Sequence, residues 1–143
     1  MSILLWFAPV SANAVEPIDF NGKIRESSSL SLGNFLQKNM AFPLSSYQIA
    51  PVDLNGDGLE EFILREESCA ISGNDCIFKI FSENNDTILL LGEIEGRSVM
   101  LGNTTSQGVR DILTVKNGAN DYDYTVYVWE PAQSKYIIGG KTP

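Results

Sequence analysis

The chain has 143 residues, of which 43% are hydrophobic and 20% charged, enough for one domain with its own core. Its net charge of −8 argues against nucleic acid, whose phosphates select basic surfaces, and suits a cation or a basic protein partner. Histidine is absent, which excludes Ser-His-Asp and Cys-His catalysis and imidazole zinc sites.

Ile3 to Val10 is a short apolar run, followed by Ala12-Asn13-Ala14, which fits the small-x-small pattern of leader cleavage. Residues 1–14 are therefore expected to be a signal peptide cut after Ala14, with the mature chain periplasmic or secreted. The run is too short to cross a bilayer, so no transmembrane segment is expected. No Lys or Arg precedes it, which departs from the usual leader, and a buried strand is the competing reading. From Val15 to Glu26 little periodicity is present, which predicts an extended lead-in. Ser27-Ser28-Ser29 can cap a helix. Leu32, Phe35, Leu36 and Met40 then recur at helical spacing and predict one amphipathic helix over 30–39, packed on a sheet and ended by Pro43.

The central stretch is Asp53-Leu54-Asn55-Gly56-Asp57-Gly58-Leu59-Glu60-Glu61, between strands expected at Tyr47–Val52 and Glu61–Arg65. Asp53, Asn55, Asp57 and Glu61 put side-chain oxygens at loop positions 1, 3, 5 and 9, and the Leu59 carbonyl falls at position 7. Hard cations such as Ca²⁺ take six to eight oxygens, and a tight loop alternating its ligands inward supplies them. Asn and Asp with Gly are also the commonest turn formers, so an acidic turn without metal is the competing reading. An EF-hand is disfavoured, because position 12, Leu64, lacks the bidentate Glu and a strand follows.

The form Asp-x-Asn-x-Asp-Gly-x-x-Glu followed by a short apolar strand resembles the FG-GAP/VCBS-type repeats. That resemblance covers about a dozen residues. It implies a Ca²⁺ loop between strands of a β-propeller blade or a related β-module.

Cys69 and Cys76 flank six residues that include Gly73-Asn74-Asp75, a turn signal. In an exported chain they are expected to form a disulfide across a loop between two antiparallel strands. Closing about eight residues stabilises by roughly 2.5 kcal/mol on the entropy model. Two free thiols or a redox pair is the competing reading, though the spacing is not Cys-x-x-Cys.

Gly58-Leu59-Glu60-Glu61-Phe62-Ile63-Leu64 matches Gly108-Val109-Arg110-Asp111-Ile112-Leu113-Thr114 at an offset of 50. The same offset carries Asp53, Asn55, Asp57 and Glu61 onto Asn103, Thr105, Gln107 and Asp111, so the second loop reads as a copy that has lost most of its charge. Further strands are expected at Cys76–Phe81, Thr87–Ile94, Ser98–Gly102, Asp111–Lys116, Tyr124–Trp129 and Lys135–Ile138. The fold expected is mainly β: one N-terminal helix and two blade-like antiparallel units of about four short strands, near 47–94 and 98–138, in one domain over 15–143. Two blades cannot close a propeller, so two packed sheets, or a homodimer that buries open edges, is expected.

Asn120, Asp121 and Asp123 near Gly118 form a second acidic turn, read as a hairpin tip or a further cation site. Among the aromatics Tyr122, Tyr124, Tyr127 and Trp129, strand alternation separates Tyr124 from Tyr127 and Trp129. One of these faces is core, and Tyr122, Tyr127 and Trp129 are a candidate exposed binding patch. No spacing singles out a catalytic carboxylate pair. The functional expectation is an exported non-catalytic calcium-binding β module that binds protein or envelope. The alternative is a periplasmic inhibitor or immunity protein against a secreted hydrolase such as a lysozyme-like enzyme, and a Ca²⁺-dependent hydrolase ranks third.

Overall fold

The computed structural model describes residues 15–20, 22–23, 30–40, 42–120 and 123–141. The expected leader, Asp121 and Tyr122 lie outside them. The described strands form two five-stranded antiparallel sheets, the mainly β architecture read from the sequence.

The first sheet has the order β2-β3-β4-β5-β6, from Gly22–Lys23, Tyr47–Val52, Glu61–Glu66, Cys76–Asn84 and Thr87–Gly96. The second has the order β1-β7-β8-β9-β10, from Glu16–Pro17, Ser98–Ser106, Val109–Val115, Thr125–Glu130 and Lys135–Lys141. Each sheet is thus a run of four consecutive strands with one very short strand added from the N-terminal segment. β1 pairs Glu16 with Leu101, and β2 pairs Gly22 with Ile49, so residues 16–23 reach both sheets.

Helix α1, Leu30–Asn39, covers the outer face of the first sheet. Leu32 and Leu36, four residues apart on one face, bury against Tyr47, Ile49, Leu64 and Phe81. Ser31 Oγ donates to Asp86 Oδ1 at 2.7 Å, which ties the helix to the β5–β6 turn. The other face of this sheet meets the second sheet. Ala50, Ile63, Phe78, Ile80 and Ile94 share one core cluster with Val99, Leu101, Ile112, Tyr127 and Tyr136. The layers are therefore helix, sheet, sheet. The middle sheet is apolar on both faces, which explains the unbroken Phe62-Ile63-Leu64.

Three local expectations are corrected. The second loop, Asn103 to Asp111, is strand on both sides of a two-residue turn. Gln107 and Gly108 both take positive φ, +54° and +80°, the pattern of a tight hairpin that follows the twist of the strands. The surplus residues are absorbed as a bulge, because the register shifts between Leu101 and Thr105. The Cys-flanked segment is not a simple turn: α2, Glu67–Ser72, carries Cys69 and runs into it, with Glu67 in the first turn and Gly73 at φ +73° closing its C-terminus. Finally, β5, β6 and β7 run two to four residues beyond their expected ends.

Candidate functional site

The Asp53–Glu61 loop joins β3 to β4 and packs against the second sheet. Leu54 is the anchor. Its side chain is 1% exposed within the inter-sheet core. Its backbone N–H donates to Glu61 Oε2 at 2.8 Å, and its carbonyl accepts from the Arg110 N–H of β8 at 2.8 Å. One residue thus connects the loop, the acid at its far end and the opposite sheet.

The rest of the loop is a chain of side-chain turns. Asp53 accepts from Gly56 N through Oδ1 and from Gly58 N through Oδ2, both at 2.9 Å. Asn55 Oδ1 accepts from Asp57 N at 3.2 Å, and Asp57 Oδ1 from Leu59 N at 2.8 Å. Gly56 and Gly58 lie at φ +74° and +81°, which glycine adopts without steric cost. Leu59 is 67% exposed, so its contribution to an ion would come from its carbonyl.

Glu61 differs from the other acids. It opens β4 facing the inter-sheet layer and is 7% exposed. Burial pushes its carboxyl above the ordinary value of 4.5; the Leu54 and Glu61 backbone donors oppose this, and the Asp57 and Asp53 charges add to it. Among the described residues no side-chain donor or cation reaches this carboxylate. The donor set matches a hard cation in chemistry, being oxygen throughout. Its geometry here is a closed hydrogen-bonded turn, and among the described residues no three acidic side chains converge as metal ligands.

Asp111, fifty residues on, is buried at 5% and accepts from Thr104 Oγ1 and Ser106 Oγ. Both acids therefore close back onto the residue seven places earlier, through a backbone donor in one half and a hydroxyl in the other. The hydroxyls that serve Asp111 stand fifty residues after Leu54 and Gly56, at positions that carry no charge in the first loop. Tyr136 joins the two regions. Its hydroxyl donates to the Arg110 carbonyl at 2.8 Å, and its pKa is raised, chiefly by burial and then by the Glu61 and Asp111 charges.

Cys69 and Cys76 form the expected disulfide. Cys76 is buried at 2%, and α2 stands outside with Ile71 79% exposed. A groove of about 450 Å³ runs beside it, between Met40, Tyr47, Ile77 and Asn74.

Two of the four aromatics, Tyr127 and Trp129, turn towards the core. Tyr127 is 5% exposed, and its hydroxyl accepts from Glu95 N at 3.3 Å across the two sheets. Trp129 packs half-buried on the same cluster, edge-on to Tyr136 at 5.6 Å. The face of Thr125, Tyr127 and Trp129 is therefore the inner one, and Tyr127 and Trp129 do not make an exposed patch. In the 117–123 turn, Asp123 N donates to the Asn120 carbonyl at 3.0 Å, a local turn bond.

Sequence reasoning missed a cavity of about 160 Å³ beside Glu61, lined by Leu54, Asn55, Ser82, Leu91, Val109 and Trp129 as well. Its walls come from both sheets, and no local pattern joins them. Among the described residues no helix is long and apolar enough to cross a membrane. Compared with protein-family models, curated proteins and solved structures, the chain finds no match. The resemblance to FG-GAP/VCBS-type repeats therefore rests on the loop residues alone.

Proposed function

We propose that this chain is an exported, non-catalytic β module of two blade-like units whose Asp53–Glu61 loop takes Ca²⁺ as a structural ion, in the service of binding a protein or envelope component. The observation that carries the calcium reading is the uncompensated charge of the loop. Glu61 is buried, and Asp57 and Asp53 are near enough to raise its pKa further. A divalent cation relieves that repulsion, while Asn55 and the Leu59 carbonyl supply neutral oxygens. Binding would require Asp53 and Asp57 to exchange backbone N–H partners for the ion. The blade-like reading is supported by how the sheets stack. Phe62 lies under α1, whereas Ile112, fifty residues on, lies in the inter-sheet core. The face that α1 covers in the first unit is thus the face that the first unit covers in the second, as in successive blades. Export is supported by the disulfide, which persists in oxidising compartments.

The test is the thermal midpoint of the oxidised chain with Ca²⁺, Mg²⁺ or chelator. Extracellular modules bind Ca²⁺ with Kd of about 10⁻⁴ M, so a hundredfold excess adds about 2.7 kcal/mol. That corresponds to a rise of roughly 10 °C for a domain of this size. Asp57→Ala should abolish the rise. No shift at 10 mM Ca²⁺, about a hundred times that Kd, would leave the loop a plain acidic turn.

One observation favours the inhibitor reading. Ile71 projects from a helix braced by the disulfide, a stiff apolar point of the kind that enters a partner's cleft. Inhibition of a purified lysozyme-type hydrolase that Ile71→Asp removes would support it; no inhibition across a panel of such enzymes would set it aside.

A further inference from the structure

The cavity beside Glu61 has a chemistry of its own. Leu54, Leu91, Val109 and Trp129 give it apolar walls, and Glu61 and Ser82 add polar atoms. At about 160 Å³ it matches the size of an apolar cavity that holds one benzene. Pockets for cofactors and drug-sized ligands run from about 300 Å³ upward, so this one takes a ligand the size of a single side chain. A carboxylate this deeply buried is costly without a counter-charge. Arg110, whose backbone N–H bonds the Leu54 carbonyl, has its guanidinium committed elsewhere: Nη1 to Glu16 at 3.3 Å and Nη2 to the Gly102 carbonyl at 2.8 Å.

We propose that this cavity binds an aliphatic primary ammonium, with the charged nitrogen on the Glu61 carboxylate and the methylene chain along Leu54, Leu91, Val109 and the Trp129 ring. The ligand is either a free alkylamine or the lysine side chain of a basic partner; both present the same group. Three features select it. The carboxylate rejects anions, and the net charge of −8 draws cations towards the surface. One Glu61 oxygen is already taken by Leu54 N, which suits a single-point ammonium better than the two-pronged fork of a guanidinium. An aromatic ring in the wall, Trp129, adds attraction for a cation that lies over it. The proposal goes beyond the calcium reading and does not depend on it.

The test uses the intact, oxidised, ¹⁵N-labelled chain in chelating buffer at pH 7.5, so that the calcium reading can fail or hold separately. The Trp129 indole N–H signal, assigned with Trp129→Phe, is followed while n-butylammonium is added, with NaCl and n-butanol as controls. A saturable shift is expected for the amine and not for either control. Glu61→Gln keeps an acceptor for Leu54 N and removes the charge; it should weaken saturation by about tenfold or more. Val109→Phe fills the cavity with Glu61 intact and should also block it, which keeps the proposal testable if the first variant folds poorly. Nα-acetyl-lysine methylamide identifies the source: if it saturates too, lysine side chains enter, and if only butylammonium does, the site takes free amines. No saturable shift at 50 mM amine, or equal responses in the wild type and both variants, would overturn the proposal.

Discussion

Two leucines five residues apart in the same loop face opposite fates, and replacing each by alanine separates a docked loop from a loose one. Leu54 is 1% exposed and Leu59 is 67% exposed. Leu54→Ala removes three buried carbons, worth about 0.8 kcal/mol each, or about 2.4 kcal/mol in transfer free energy. A sealed void would add a further penalty, which takes some Leu→Ala changes to about 5 kcal/mol. Here the vacated space joins the cavity beside Glu61, so little new void forms and the expected loss is about 2.5–3 kcal/mol. The backbone bonds of Leu54 to Glu61 and Arg110 survive the change, so the loss reads apolar packing alone. With a urea slope of about 2 kcal/mol/M, the unfolding midpoint should fall by about 1.3 M without a change in slope. Leu59→Ala should stay within about 0.5 kcal/mol of the parent. If the two variants unfold at the same urea concentration, Leu54 does not anchor the loop, and the account of how the loop meets the second sheet fails.

Reduction of the disulfide, or the paired change Cys69→Ala with Cys76→Ser, should cost roughly 2.5 kcal/mol, checked by urea unfolding with and without reductant. Amides of α2 should then exchange freely, since a six-residue helix does not persist alone. In chelator the stability should depend on pH through Glu61. Its folded-state pKa is raised, so its contribution is fully present below the ordinary value of 4.5 and is lost as pH rises through the folded value. Glu61→Gln should flatten that part of the profile, and an unchanged profile would mean that the carboxylate is hydrated. If Ca²⁺ binds as proposed, adding it should reverse the fall above that range.

Much of the framework is readable from residue order because local chemistry and the final environment agree there. Leu32, Leu36 and Met40 predict a helix, and the helix forms over the expected residues because a sheet offers Ile49 and Phe81 to cover. The starts of β3, β4, β5, β6 and β7 coincide with the expected ones, since turn residues or the cysteines precede them. What could not be read depends on partners distant in the chain. Alternation alone does not say which face of Tyr127 and Trp129 is inner; that is decided by Glu95 and the first sheet behind it. Asn103 to Asp111 reads as a loop because the residues after it match those after the first loop at an offset of 50, but Thr104 and Thr105 favour strand, and Gln107-Gly108 completes a hairpin with fewer residues. Gly73-Asn74-Asp75 is a sound turn signal that hides the short helix before it. The oxygens of the Asp53–Glu61 loop are legible as a set, while the inward placement of Glu61 follows from a strand face fixed by Ile63 and Leu54.

The N-terminal segment gives one tiny strand to each sheet within eight residues, Glu16–Pro17 to β7 and Gly22–Lys23 to β3. These two contacts share a single short tether, so neither sheet can slip its pairing on that side without tension in the other. The segment also shields two vulnerable borders at once, and Pro17, which lacks an N–H, leaves less for another chain to pair with. A single nick between Pro17 and Gly22 would therefore do more than release a tail: it would uncouple the alignment of the two sheets and bare both borders to self-association.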